Sequence, residues 1–150
     1  MQKGDKVPDL LGHDENGNEI RLSQLGGKKL VLYFYPKDMT SGCTAQACNL
    51  RDNYDRLKSE GYEVLGVSID TARKHQQFIE KNQLPFHLIA DIEKTLVQQF
   101  GVWGEKKLYG RSYMGTMRTT FIIAPDGTIE RVITPKEVQT KDHASQILDK

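Results

Sequence analysis

Six consecutive residues, Leu30-Val31-Leu32-Tyr33-Phe34-Tyr35, are apolar or aromatic before Pro36 closes the run. A strand with one wet face alternates polar and apolar side chains, so an unbroken run requires a strand covered on both faces. Two covering layers imply strands and helices in alternation, and the rest of the chain supplies them. Ala47, Leu50, Tyr54 and Leu57 recur at helical spacing until Gly61, which predicts one helix beginning at about Cys43. A second buried strand is expected over 64–69. A helix capped by Asp70 or Thr71 follows to about Asn82, with Phe78 and Ile79 on its inner side. A strand over 87–90 and a helix over 91–100 come next, whereas 102–117 has no clear period and reads as a long loop. Residues 119–123 and 129–133 should pair around Pro125-Asp126-Gly127, and a helix should close the chain at about 140–148. Upstream, the apolar stretch 7–11 leads to Asn16-Gly17-Asn18, which has hairpin-turn chemistry. Ser23-Gln24-Leu25 reads as one helical turn stopped by Gly26-Gly27. The expected class is α/β, one domain over 1–150, with a mixed central sheet and flanking helices.

Composition removes several function classes. With 21 basic and 20 acidic residues there is no cationic surplus for phosphates, so no nucleic-acid partner is expected. No apolar run approaches the roughly 18 residues of a membrane span. The opening MQKGDKVPDLLG lacks an apolar targeting core, and two cysteines are too few for a disulfide-stapled scaffold. The expected setting is the cytoplasm, and two thiols remain to be explained.

Cys43 falls in the first turn of a helix that leaves a buried strand, following Thr40 and Gly42. In open α/β sheets that junction favours a site, and unpaired first-turn N–H groups favour a thiolate. The alternative is a buried structural cysteine, a common fate of free thiols. Cys48 lies five residues on. In a wound helix that spacing separates the Cα atoms by about 8.6 Å, beyond the roughly 7 Å a disulfide tolerates. Either the pair is never bridged, or bridging is coupled to unwinding of the helix start. C-x4-C differs from the C-x-x-C of disulfide exchangers and is weak as a metal site, because no H-x3-5-H pair follows. A nucleophilic thiol with a resolving thiol is the third reading.

Pro36-Lys37-Asp38-Met39-Thr40-Ser41-Gly42-Cys43 fits the P-x-x-x-T-x-x-C signature of peroxiredoxins. Continued through Cys48, it resembles the bacterioferritin-comigratory-protein subfamily, also called peroxiredoxin Q. YFYPKDMTSGCT, VLGVSID, FGVWGEK, YMGTMRTTFII and PDGTI resemble that subfamily in order along nearly the whole chain. The resemblance implies a thioredoxin-like fold with an added N-terminal β-hairpin. It implies Cys43 as the peroxidatic cysteine, Cys48 as the resolving one and Thr40 as the hydroxyl that holds the peroxide. Pro36 would shield the pocket, Gly42 would line it, and Arg118 would supply a cation from a distant strand. It further implies a hydroperoxide substrate, thioredoxin as reductant with glutaredoxin as the alternative, a monomer, and no metal, flavin or haem. Two departures stand out: Ser41 where proline is usual, and Gln46 where a glutamate that could pair with Arg118 is common.

At neutral pH an ordinary thiol is about 3% ionised, so full ionisation gains only about 30-fold, or about 2 kcal/mol. Enzymes typically supply about 8 kcal/mol or more. The remainder must come from aligning the O–O bond and stabilising the departing oxygen, work suited to Arg118, Thr40 and the Cys43 N–H. A thioredoxin-like disulfide oxidoreductase or a non-catalytic redox-sensing module would need neither Thr40 nor Arg118. His13, His75, His87 and His143 are scattered and read as surface or cap residues. Trp103, Tyr109, Tyr113 and Met114 could wall the pocket, contact a partner or pack under a loop, and Glu105-Lys106-Lys107 reads as a solvated turn.

Overall fold

The computed structural model describes residues 1–149. β1 (Leu10–His13) and β2 (Glu19–Arg21) form the N-terminal hairpin, followed by a short 3-10 turn at Leu22–Leu25. β3 (Lys29–Phe34) leads into α1 (Ser41–Asp52) and α2 (Tyr54–Ser59), then β4 (Tyr62–Ser68), α3 (Ala72–Asn82), β5 (His87–Ala90) and α4 (Thr95–Gln99). β6 (Trp103–Leu108) and β7 (Arg111–Thr116) precede β8 (Thr119–Ile123), β9 (Ile129–Ile133) and α5 (His143–Leu148). The five-stranded sheet has the order β5-β4-β3-β8-β9, parallel between β3, β4 and β5 and antiparallel across β8 and β9. The sheet is mixed, as expected, and β3 is its central strand.

Alternation along β3 explains its unbroken apolar run. Val31, Tyr33 and Tyr35 face Ala47 and Leu50 of α1, Leu57 of α2, Phe78 of α3 and Ile147 of α5. Leu30, Leu32 and Phe34 face Leu11 of the hairpin, Leu96 and Val97 of α4, and Phe100. Each face has its own core, so a charged side chain anywhere from Leu30 to Phe34 would be stranded from water.

Several boundaries depart from the sequence reading, each for a local reason. The helix beginning near Cys43 is interrupted at Asn53, whose side chain donates to Asn49 O at 2.8 Å and whose N–H turns to Arg51 O. The helix expected over 91–100 shrinks to α4. Asp91 carboxylate oxygens accept from the N–H groups of Leu96 and Val97, and Lys94 has φ +60°. The last helix begins as a 3-10 turn at Thr140–Asp142, and Ile79 is only half-buried. The largest correction is 102–117, which is a two-stranded ribbon rather than a loop. Its ladder pairs Trp103 with Thr116 through to Leu108 with Arg111. Tyr109 and Gly110 turn the corner with φ of +51° and +78°. Two successive positive φ values match a tight hairpin turn usually written with Asn-Gly. Tyrosine in the first place hid the signal, and a ribbon largely exposed on both sides carries no apolar alternation.

Candidate active site

α1 begins with Thr40 as its extended cap residue, and the first bond of the helix runs from Thr44 N–H to Thr40 O. The N–H groups of Ser41, Gly42 and Cys43 therefore precede the first available helical acceptor and point out of the helix start. Cys43 lies in this turn, almost fully buried. The β3–β8 ladder pairs Phe34 with Thr119, which carries Arg118 to the carboxyl end of β3 beside the loop before Cys43. Arg118 Nη2 donates to Cys43 Sγ at 3.4 Å and Nη1 donates to Gln46 Oε1 at 2.7 Å. A carboxylate is therefore not needed to hold the guanidinium, because the buried amide oxygen one helical turn after Cys43 accepts instead. Gln46 Nε2 is buried without a partner among the described residues. Gly42 leaves room for the guanidinium: a Cβ there would stand 3.3 Å from Arg118 Nη2, which would have to give way by a few tenths of an ångström.

Other expected residues sit differently. Thr40 is exposed, and its hydroxyl donates to Lys37 O at 2.9 Å rather than meeting Cys43. Pro36 is half-buried at the end of β3. Met39, between them, is exposed with φ +69°, a strained conformation of about 1–3 kcal/mol for a residue with a side chain. Cys48 is half-buried on the same continuous helix as Cys43, and both thiols are free. Lys106 is a half-buried strand residue rather than part of a solvated turn. Burial holds its ammonium below the ordinary lysine value, Arg118 pushes it further down, and Cys43 pulls it back up. Burial, then the charges of Cys43 and Asp38, raise the Tyr33 phenol well above its usual value. Tyr33 and Phe34 are core residues, as their strand predicts. Trp103 packs half-buried against the core, while Tyr109, Tyr113 and Met114 are exposed on the ribbon.

A buried polar network behind the loop escaped sequence reading. Asp38 accepts from Tyr35 Oη at 2.5 Å, and its Oδ2 lies 2.6 Å from His75 Nδ1. His75 Nε2 donates to Ile89 O at 2.9 Å, because a carbonyl can only accept. Asp38 N–H donates to Asp70 Oδ2, which also accepts from Ser68 Oγ. His75 and His143 are thus fully buried, contrary to the expected surface or cap role. Asp38 lay within the signature, but nothing in the spacing of His75 marks it as a partner. Among the described residues, two groups bring potential metal-ligand atoms within 4.8 Å: Asp38, Asp70 and His75, and Asp14, Glu15 and His87. In both, carboxylate oxygens already accept hydrogen bonds from protein donors.

Residues 3–132 match the AhpC/TSA family. The chain is 42% identical over 149 residues to peroxiredoxin Bcp of Escherichia coli K12, covering 99% of this chain and 94% of that one. Among solved structures, a cysteine-to-serine variant of Xylella fastidiosa PrxQ superposes with TM-score 0.89 at 31% identity, covering 99% of this chain and 94% of that chain. The bacterioferritin comigratory protein of Xanthomonas campestris, described for its alkyl peroxide reduction activity, superposes with TM-score 0.84 at 30% identity, covering 97% and 96%. The thioredoxin-like fold expected from the sequence is the fold of these neighbours.

Proposed function

The chain belongs to the AhpC/TSA family, among the Bcp and PrxQ peroxiredoxins, and from that premise we propose that it is a thiol peroxidase reducing hydrogen peroxide and organic hydroperoxides through Cys43. One observation carries the reading most directly: Arg118 Nη2 stands 3.4 Å from Sγ of the almost fully buried Cys43. A guanidinium there donates to the sulfur and presents further donors where an incoming peroxide oxygen would sit. The outward N–H groups at the start of α1 act in the same sense.

The Cys43 thiolate attacks one oxygen of the hydroperoxide. The S–O bond forms as the O–O bond breaks, and the departing oxygen leaves as water or an alcohol after taking a proton. The Thr40 hydroxyl donates its hydrogen bond to Lys37 O, so its oxygen is left to accept from the peroxide O–H and orient it. Pro36 limits solvent access, and Gly42 allows the guanidinium to approach. Cys48 then condenses with the Cys43 sulfenic acid, releasing water and leaving an intramolecular disulfide. Both cysteines lie on one wound helix, so this step requires the first turns of α1 to open. An external dithiol protein of the thioredoxin type, with glutaredoxin as the alternative, reduces the bridge. The chemistry needs no cofactor.

The test is intact-mass analysis with peroxide consumption. Peroxide-treated protein should lose about 2 Da as the bridge forms, and an unchanged mass would falsify the intramolecular disulfide. Cys43→Ser should abolish turnover. Cys48→Ser should retain the first peroxide reaction and lose recycling by thioredoxin.

A further inference from the structure

Cys48 Sγ lies 3.7 Å from Asn82 Oδ1, across the boundary between α1 and the last residue of α3. The orientation of that amide is fixed by its surroundings. Asn82 Nδ2 donates to Phe78 O at 3.1 Å, and because a carbonyl only accepts, Oδ1 is the atom turned toward the thiol. An amide oxygen accepts in turn, so Cys48 donates its S–H to it. Arg51, one turn after Cys48 on α1, secures the same residue by donating from Nη1 to Asn82 O at 2.7 Å. Phe78, whose carbonyl anchors the amide, is fully buried against Tyr35. Asn82 thus rests on a rigid part of the core.

We infer that Asn82 is a positioning residue that holds the Cys48 side chain in its resting place through the S–H contact and so sets the rate at which it reaches the Cys43 sulfenic acid. This rests on the reading of Cys48 as the resolving cysteine. The step is Cys48 S–H plus Cys43 S–OH giving the disulfide and water, and the attacking species is the Cys48 thiolate. Breaking the S–H contact to Asn82 is therefore required twice over: to release the side chain for movement and to let its proton go.

The variants Asn82→Ala and Asn82→Asp separate this role from ordinary packing. Asn82→Ala removes the acceptor, so disulfide formation after a peroxide pulse should quicken by about threefold to fivefold, the scale of one modest hydrogen bond. Asn82→Asp keeps an acceptor and adds negative charge beside the nascent thiolate, so it should slow the same step. Loss of packing alone would quicken both. Oxidation of Cys43 by peroxide, followed as the preceding phase, should be unchanged in both variants. Alkylation of Cys48 by iodoacetamide in the reduced protein, read by peptide mass, should rank alanine above wild type above aspartate. Equal bridge-forming and alkylation rates in all three proteins would overturn the inference. If no bridge forms in any of them but alkylation keeps that ranking, the hold on Cys48 stands and its resolving role is what has failed.

Discussion

Arg118 and Cys43 are 75 residues apart in sequence, yet Arg118 Nη2 lies 3.4 Å from Cys43 Sγ. The same guanidinium reaches Gln46 Oε1 with Nη1, so one planar fork ties the link before β8 to the thiol and to α1. Arg118→Ala should lower the rate of Cys43 oxidation by about 10²–10³-fold, as loss of a preorganised donor does elsewhere. Arg118→Lys should fall between, because an ammonium keeps the charge without the fork. Stopped-flow oxidation of the reduced protein measures both.

Gln46 offers a trade between stability and activity. Its Nε2 is buried without a partner among the described residues, and a carboxylate in its place would give Arg118 a charge-assisted bond. Gln46→Glu should unfold at an equal or higher urea concentration, by about 1 kcal/mol. Its peroxide rate should fall several-fold, because charge that now faces Cys43 would be drawn toward the new anion.

Gly42→Ala tests the close approach. The added Cβ would meet Arg118 Nη2 at 3.3 Å, so the guanidinium must shift by a few tenths of an ångström. Oxidation of Cys43 should slow by up to about tenfold, since small misplacements of a reacting group are costly. Thermal stability should not drop, because alanine is a better helix former than glycine. A variant that lost stability and kept its rate would contradict the steric role.

Behind the loop, Asp38 and His75 form a buried pair at 2.6 Å with a Tyr35 bond on the other carboxylate oxygen. Removing one partner strands the rest. His75→Ala should cost about 3–5 kcal/mol in urea unfolding. A double variant with Asp38→Ala should cost less than the two single changes added together.

His143 gives the fold an acid-sensitive contact. Its ring bridges Thr120 Oγ1 and Gln146 Oε1, each at 2.8 Å. Burial holds it below the ordinary histidine value; the Gln146 bond pulls it back up, and Arg118 and Arg131 push it down again. A lowered folded-state value means that the unfolded chain takes the proton first. The contribution is complete above the unfolded value of about 6.5 and is lost as pH falls through the window beneath it. Urea midpoints measured between pH 7.5 and 5 should fall less steeply for His143→Gln than for the native protein.

The sheet was legible because its signal is local. An unbroken apolar run in β3, helical spacing around Ala47 and Leu50, and the Pro125-Asp126-Gly127 turn each report on residues close in sequence. The β6–β7 ribbon was not legible, because an exposed two-stranded hairpin satisfies its backbone without burying an alternating face. The break at Asn53 turned on one side chain bonding back to Asn49, a competition that periodicity does not register.

At the site the division is similar. Local spacing alone placed the proposed nucleophile: a cysteine in the first turn of a helix after a buried strand, with a second thiol too far along that helix to pair while it stays wound. Likeness to known peroxiredoxins pointed to Arg118, but only tertiary structure decided what that arginine touches. The β3–β8 register delivers it to Cys43, Gly42 leaves it room, and Gln46 accepts its other arm. Only tertiary structure, likewise, set His75 against Asp38 and Asn82 against Cys48. Helical and strand periods are fixed by local backbone geometry and can be read along the chain. Hydrogen-bond partners drawn from different elements are fixed by how those elements pack, and no spacing in the sequence records that.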